Sequence, residues 1–450
     1  MRICLLSSQA AAAWSGLGTY CRVLASELAA LGQEVTVLAP GGGAIPGVRV
    51  VNLGPPLRGR SHAVWLAASV RYARMLRRCS AFDVTHFADG RESLFCPRGG
   101  ALHVGTVHDY YFAYGWREGL SIRRYYADWP SRYLYQRGVN LLERAALGRL
   151  DLLLFNSEAV KRTVAAAYGL NPGRLRVVYL AVPLRPQPPS RREHPEPVLL
   201  FVGGNFQRKG LGVTLRALAV LSRERDGIEL RVVGSDHSAP RMSQLAAELG
   251  VARQVSFLGW LPWEEVMKEM QDAALLVMPS WEEGFGLVFL EAMQVRLPVV
   301  GGEVGGTREL ISDGVDGFLV APGDHRVLAD RIGRLLDNAA LRHSFAERGL
   351  VTVGRFTPRA LALATLGAYR TALSRCGTAS EMPVSKRQQG REWPTPDAKP
   401  LTRASHRLSG ASFLRRGSLQ HSTRVARSNR LTGMRLTQTG GSASLADYLS

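Results

Sequence analysis

Pro279-Ser-Trp-Glu-Glu-Gly-Phe-Gly-Leu-Val-Phe-Leu-Glu-Ala-Met293 places two carboxylates, Glu283 and Glu291, around a glycine-punctuated helix start. The run Ala273 to Met278 before it is apolar and short, as a buried parallel strand would be, and Pro279 and Ser280 end it. A loop must follow. Gly284 and Gly286 then let backbone approach a ligand closely, and the amphipathic run from Leu287 onward offers the free N–H groups and positive dipole end of a helix. A phosphate suits such a place. Glu283 falls in the loop and Glu291 about one turn into the helix, so the two can reach different parts of one elongated ligand. Taken alone, the segment also fits ordinary helix capping, because acidic residues complement the dipole in many α/β proteins.

Working outward, strand-like and helical patterns alternate along most of the chain. Ile3 to Leu6 is followed by a helix from Gly18 to Leu31 and by Val35 to Leu38. Val84 to Phe87, Gly105 to Val107, Leu152 to Phe155 and Val177 to Tyr179 continue the series. The segment from Val182 to Pro197 is rich in Pro, Arg and Ser and has neither periodicity, which marks a linker. A second series then runs through Val198 to Val202, a helix from Gly212 to Arg223, Glu229 to Val233, a helix from Arg241 to Leu249, and Val255 to Leu258. Ala274 to Met278, Val299 to Val300 and Gly317 to Val320 complete it. Two parallel sheets, each covered by helices on both faces, are expected to flank one linker. Open sheets of this kind bind ligands at the carboxyl ends of their strands, so a cleft between the halves is the expected site.

Length and composition agree with two domains plus an appendage. The chain has 450 residues, 46% of them hydrophobic, which exceeds what one core usually supports. Of the formal charge of +20, the segment from Cys376 onward contributes twelve Lys or Arg against four Asp or Glu. The remainder is still basic and favours anionic partners. Beyond Cys376 few large apolar residues remain to offset the entropy of ordering, and disorder is expected. The five cysteines are scattered and odd in number, which fits a reducing cytoplasm. No apolar run reaches ~18 residues and the first residues do not read as a signal peptide.

Other motifs converge on the same cleft. Phe201-Val-Gly-Gly-Asn-Phe-Gln-Arg-Lys-Gly210 sets Arg208 and Lys209 at a strand's carboxyl end, as a diphosphate clamp would require. A charged surface turn is the alternative. Trp14-Ser-Gly-Leu-Gly-Thr19 brings Gly16 to the start of the first helix, without the third glycine of the dinucleotide pattern. Thr106-Val-His-Asp109 puts His108 at the rim of the first sheet, either donating to a sugar hydroxyl or phosphate or capping a loop, and His86 has the same topological position with a weaker claim. Metal-ligand clusters, a Gly-x-Ser-x-Gly nucleophile and the Lys-Ser/Thr phosphate loop are missing. From Trp116 to Arg149, arginines alternate with aromatics, a pattern that serves either an anionic membrane surface or a half-buried helix.

In this order the motifs resemble the retaining glycosyltransferase family 4 of the GT-B fold. Its two glutamates separated by seven residues are matched by Glu283 and Glu291, flanked by Arg208-Lys209-Gly210, Phe257-Leu-Gly259, Pro298-Val-Val300, Gly305-Gly306 and Asp316-Gly-Phe-Leu-Val-Ala-Pro-Gly-Asp324. The resemblance implies two doubly wound Rossmann-like domains facing across a cleft. It divides the chain into an acceptor-side domain (1–183), a linker (184–197), a nucleotide-sugar-binding domain (198–355), a terminal helix packing back on the first domain (356–375) and a disordered basic tail (376–450). It also implies a UDP- or GDP-linked sugar as co-substrate, with no other cofactor and no metal, and a glycan or lipid-linked acceptor. Glu291 would hold the ribose hydroxyls and Glu283 the donor sugar. Backbone N–H groups of Gly284, Phe285, Gly286 and Leu287 would serve sugar or phosphate. Arg208 and Lys209 would neutralise the departing diphosphate, with His108 and Gly16 facing them.

A cytoplasmic enzyme is expected, with peripheral contact at an anionic membrane face as an option and nucleic acid an unfavoured partner. The sequence departs from the family at Arg308, where a proline is frequent, at Tyr179-Leu-Ala-Val182, and across Ala113 to Pro130, where acceptors are chosen. A nucleotide-sugar epimerase of similar plan and a non-catalytic sugar-nucleotide or membrane-binding protein are the rival readings.

Overall fold

The computed structural model describes residues 1–10, 15–57, 61–78, 82–97, 99–110, 129–183 and 197–377. The expected linker up to residue 196, most of the arginine-aromatic segment before Trp129, and the tail beyond 377 lie outside the described residues.

The first sheet holds β1 (Arg2–Leu6), β2 (Glu34–Ala39), β3 (Arg49–Asn52), β4 (Val84–Phe87), β5 (Leu102–Val107), β6 (Leu152–Phe155) and β7 (Leu175–Val177), in the order β3-β2-β1-β4-β5-β6-β7. All its pairs are parallel. The second sheet holds β8 (Val198–Val202), β9 (Glu229–Val233), β10 (Val255–Gly259), β11 (Leu275–Met278), β12 (Val299–Gly302) and β13 (Phe318–Val320), in the order β10-β9-β8-β11-β12-β13 and again all parallel. In both sheets the strand order reverses beside the first strand, at β1/β4 and at β8/β11. Helices leaving neighbouring strands there go to opposite faces, and a crevice opens above the strand ends.

Helices α1 (Gly16–Ala30), α2 (Ser61–Leu76), α3 (Trp129–Leu147) and α4 (Glu158–Tyr168) belong to the first half. The second carries α5 (Phe206–Lys209), α6 (Leu211–Leu221), α7 (Ala239–Glu248), α8 (Trp263–Asp272), α9 (Leu287–Gln294), α10 (Thr307–Leu310), α11 (His325–Asp337) and α12 (Ala339–Val353), with α13 (Pro358–Gly377) last. Strands covered on both faces are continuously apolar, as in β11, where all of Leu-Leu-Val-Met is buried. Parallel register lines up Leu38, Leu6 and Phe87 across three strands, so the residues that follow them open on one edge.

Several boundaries differ from the sequence pattern for local reasons. Helix α1 begins at Gly16, because the Ser15 hydroxyl accepts the Gly18 N–H at 2.9 Å and caps it there. The last helix starts at Pro358 behind Thr357, whose hydroxyl accepts the Ala360 N–H at 3.1 Å, and runs on to Gly377, leaving Phe356 outside it. Strand β5 extends back to Leu102 although His103 and Gly105 dilute its apolar run. Strand β3 and helix α2 have no counterpart in the pattern, the strand being only four residues long and partly exposed.

Helix α13 packs against α1, and the Tyr369 hydroxyl meets His86 Nδ1 at 2.6 Å. The two halves are joined directly. Ser157 Oγ donates to the Gly284 carbonyl at 2.8 Å, and the Glu309 carboxylate accepts the Glu158 and Ala159 N–H groups at 3.0 Å each, at the start of α4. No described helix is long and apolar enough to cross a membrane.

Candidate active site

A cleft of about 1250 Å³ lies between the two sheets and is lined by Gly16, His108, Gly203, Lys209, Glu283, Gly286, Leu287 and Glu291, among others. Its second-domain wall is built at the β8/β11 crossing. The turn after β8 holds Asn205 at φ 56°, where its side chain accepts the Arg208 N–H and winds α5. This turn delivers Lys209 to the loop after β11, where its ammonium forms an ion pair with Glu283. Burial pulls the lysine pKa down, and the adjacent carboxylate acts the other way. A largely desolvated ion pair is costly unless well partnered, and an incoming diphosphate can take over the lysine's charge.

Arg208, expected beside Lys209 on the ligand, is turned differently. Its Nη1 donates to the Glu282 carbonyl at 3.1 Å, and it is not among the described residues lining the cleft. It braces the loop that carries Glu283. Helix α9, expected to be amphipathic, is instead buried on most sides: Phe289, Leu290, Ala292 and Met293 are inside, while the half-buried Leu287, Val288 and Glu291 line the cleft. Gly286 precedes it at φ 99°, a conformation that disfavours any side chain and leaves the first N–H groups of the helix uncapped by a side chain. Glu291 has its pKa raised by burial, against a hydrogen bond from Trp263.

Gly284 was expected to bring backbone close to ligand, and a Cβ there would run into the His108 carbonyl oxygen. The glycine is needed where the domains touch. Phe285 is buried between Tyr179, ring centroids 6.0 Å apart, and Phe356 at 5.7 Å, so its backbone serves the cleft wall while its ring holds the halves together.

On the first domain, Gly16 opens α1 directly opposite Leu287, which lies in ordinary contact range of where its Cβ would be. The two helix starts therefore face one another. His108 Nε2 lies 2.7 Å from the Ala88 carbonyl, an acceptor, so this nitrogen carries the proton. Burial lowers the imidazole pKa, the neutral ring prevails, and Nδ1 remains an acceptor. His108 thus donates to a loop carbonyl, as the capping alternative had it, and leaves Nδ1 to accept a hydroxyl hydrogen bond. His86 is fully buried between Tyr369 and Thr106, and burial lowers its pKa to about 3, so it belongs to the core.

Sequence reasoning missed the turn after β4. Asp89 caps it, accepting the Arg91 N–H at 3.0 Å and holding the Arg91 guanidinium at 2.8 Å, while Arg91 also reaches Asp109 at 3.3 Å. Glu92 lies buried beside them and accepts the Ser8 N–H at 3.2 Å. Asp89, Arg91, Glu92 and Trp65 all line the cleft. For Asp89, Arg91 and Glu92 the available signal was topological: they follow β4, one of the two strands at the sheet's reversal point. Gly203 and Gly204, which follow β8 in the same way, were in the quoted motif but were given no role.

Residues 186–351 match the family described as glycosyl transferases group 1, and residues 14–185 match glycosyltransferase family 4. A D-inositol 3-phosphate glycosyltransferase of Acidothermus cellulolyticus is 30% identical over 409 residues, covering 83% of this chain and 89% of the relative. One from Frankia alni is 31% identical, with coverage of 80% and 95%. An MMP alpha-(1->4)-mannosyltransferase of Mycolicibacterium hassiacum is 28% identical over 83% of this chain and 99% of its own. Among solved structures, sucrose-phosphate synthase from Thermosynechococcus elongatus superposes with a TM-score of 0.68 at 22% identity, covering 83% of this chain and 100% of the other. Anabaena HepE, solved with UDP and glucose, superposes with a TM-score of 0.61 at 18% identity, with coverage of 82% and 100%. These likenesses show the GT-B fold.

Proposed function

This chain belongs to the group 1 glycosyltransferases of glycosyltransferase family 4, and we propose that it moves a hexosyl unit from a UDP- or GDP-linked sugar to an acceptor hydroxyl with retention of configuration. The observation that carries the proposal is the Lys209–Glu283 pair, set at the β8/β11 crossing within a cleft that also receives the N-terminus of α9. A diphosphate against that helix start and Lys209 is met by fixed positive charge, which stabilises the leaving group without a resident metal. Glu291, at the cleft wall with Trp263, accepts the ribose hydroxyls. Glu283, released from Lys209 by the phosphates, holds donor-sugar hydroxyls.

The bond from the anomeric carbon to the diphosphate oxygen breaks, and a bond to the acceptor oxygen forms on the same face. The acceptor's proton passes to the departing diphosphate oxygen. His108 Nδ1, an acceptor in the neutral ring, orients a hydroxyl across the cleft. The mannosyltransferase relative and the UDP- and glucose-bound neighbour support hexose transfer and a UDP-type donor. The acceptor is a glycan, a lipid-linked sugar or a small molecule.

Contact with an anionic membrane is part of the same proposal. It is supported by Leu134, Leu141 and Leu142, exposed on α3 near Arg137 and Arg144. Flotation with anionic vesicles checks it.

The test is a panel of nucleotide sugars incubated with the protein, with and without acceptors. Transfer that depends on an acceptor is expected, with Glu283→Gln lowering turnover about a hundredfold or more while nucleoside diphosphate affinity changes little. Release of an epimerised sugar without acceptor would establish the epimerase reading instead.

A further inference from the structure

Among the described residues, the His108 side chain makes one hydrogen bond, from Nε2 to the Ala88 carbonyl at 2.7 Å. That bond fixes the nitrogen but leaves the ring to swing about it, because a torsion onto a planar ring has no sharp staggered minima. Where Nδ1 points depends on the neighbour that limits the swing. That neighbour is Tyr20 of α1, whose ring stands 4.8 Å from the imidazole, centroid to centroid, with the two planes 74° apart. A T-shaped pair is directional, so the tilt of one ring constrains the tilt of the other.

Tyr20 is itself tied from behind. Its hydroxyl meets Thr106 Oγ1 at 2.7 Å, Thr106 Oγ1 meets His86 Nε2 at 2.7 Å, and His86 Nδ1 meets the Tyr369 hydroxyl at 2.6 Å. All four side chains are buried. A neutral imidazole has one donor nitrogen and one acceptor nitrogen, so the three bonds form together in either tautomer of His86. The line of bonds runs from α13 through β4 and β5 to α1, and ends at the ring beside His108. Apolar side chains of the same size would join these elements without burying hydroxyls. A satisfied polar line adds rigidity and a unique orientation.

We propose that Tyr20 is a positioning residue for the transfer reaction: anchored through Thr106, His86 and Tyr369, it sets the plane of His108 so that Nδ1 is aimed at the substrate hydroxyl. The proposal rests on the transfer reading above, with His108 as the acceptor of that hydrogen bond. It gives the terminal helix a part in the site, although none of the described residues lining the cleft comes from α13.

The test uses the full chain with its best nucleotide sugar and acceptor, assayed well below each variant's melting temperature. Thr106→Val keeps the shape and removes the shared oxygen, Thr106→Ser keeps the oxygen, and Tyr20→Phe frees the ring tip while leaving His86 bonded to Thr106. Thr106→Val and Tyr20→Phe should lower kcat about tenfold or more, the consequence of a misaimed orienting group, with donor KM and UDP or GDP affinity within about twofold. Thr106→Ser should restore kcat to within about threefold of wild type.

A pH profile separates aiming from general loosening. The imidazole pKa is held down first by burial, while Asp89, the Ala88 carbonyl and Asp109 act against it and Arg91 acts with it; His86, on the far side of Tyr20, stays neutral. Activity that needs neutral His108 falls as pH drops through that pKa. Once Tyr20 is released the ring is less covered, so this acid limb should move to higher pH in Thr106→Val and Tyr20→Phe and stay in place in Thr106→Ser. Wild-type kcat with an unmoved limb in Thr106→Val overturns the inference, and Tyr20→Phe decides the same way if Thr106→Val does not fold. Turnover lost in His108→Ala but kept in both of those variants overturns it alone and leaves the transfer reading standing. Full turnover in His108→Ala removes the role given to His108 and the inference with it.

Discussion

At the residue scale, Lys209 and Arg208 are neighbours with different work. Lys209→Ala should weaken nucleoside diphosphate binding about ten- to a hundredfold by calorimetry, since a charge-assisted hydrogen bond contributes ~1.5–3 kcal/mol. Arg208→Ala should change it less than about threefold and lower the melting temperature instead, because its guanidinium supports the Glu282 carbonyl. Equal affinity losses in the two variants would put both cations on the ligand. A second residue makes stability depend on pH. Glu143, buried on α3 and bonded to the Tyr168 hydroxyl, has its pKa raised to about 7, first by burial. Its neutral form is favoured in the fold, so its contribution is complete below the ordinary carboxyl pKa and is lost as pH rises through 7. Glu143→Gln should remove a loss on the order of 2–3 kcal/mol between pH 5 and 8. Thermal melts that fall as steeply in the variant would refute that assignment. Both cations could be picked out in the sequence because each follows a strand, but their side-chain directions are set by a four-residue helix whose cap is a left-handed Asn205.

At the scale of elements, the loop between β11 and α9 is fixed from both domains. Gly284→Ala places a methyl against the His108 carbonyl, an overpacking that should cost about 1–3 kcal/mol and raise the donor KM, because relief requires the loop or the domain contact to shift. A wild-type melting temperature and KM in this variant would show that the contact is not maintained. Glycine spacing and the helix start were legible at this level. The burial of α9 was not, because its half-buried cleft face, Leu287, Val288 and Glu291, contains one charge and looks amphipathic in isolation. Helix α2 escaped notice too, although it supplies Trp65 to the cleft. Only the neighbouring turn after β4 gives that tryptophan a site to line.

For the molecule as a whole, polar contacts among the described residues help to set the mutual placement of the domains. Glu309 of the second domain caps α4 of the first and also accepts the Tyr179 hydroxyl at 3.1 Å. Glu309→Ala should leave each sheet folded yet loosen the pair, seen as a larger radius of gyration in solution scattering and a several-fold weaker donor affinity, the cost of one lost cap being about 1 kcal/mol. Unchanged scattering would mean that the aromatic cluster of Tyr179, Phe285 and Phe356 suffices to hold the halves.

Sequence alone determined that two parallel sheets follow one another, and that glutamates, glycines and cations gather at the strand ends of the second. Those features are local, set by short apolar runs, turn residues and spacing. Tertiary structure decided which groups meet: that Lys209 pairs with Glu283, that Arg208 turns to a carbonyl, that His108 carries its proton on Nε2, and that Gly284 serves an interdomain contact. It also placed Trp65 and Glu92 together on the cleft, from segments 27 positions apart in the sequence. Such contacts join residues distant along the chain. They depend on how two packed layers settle against each other, a distance-dependent outcome that no local pattern of residues encodes.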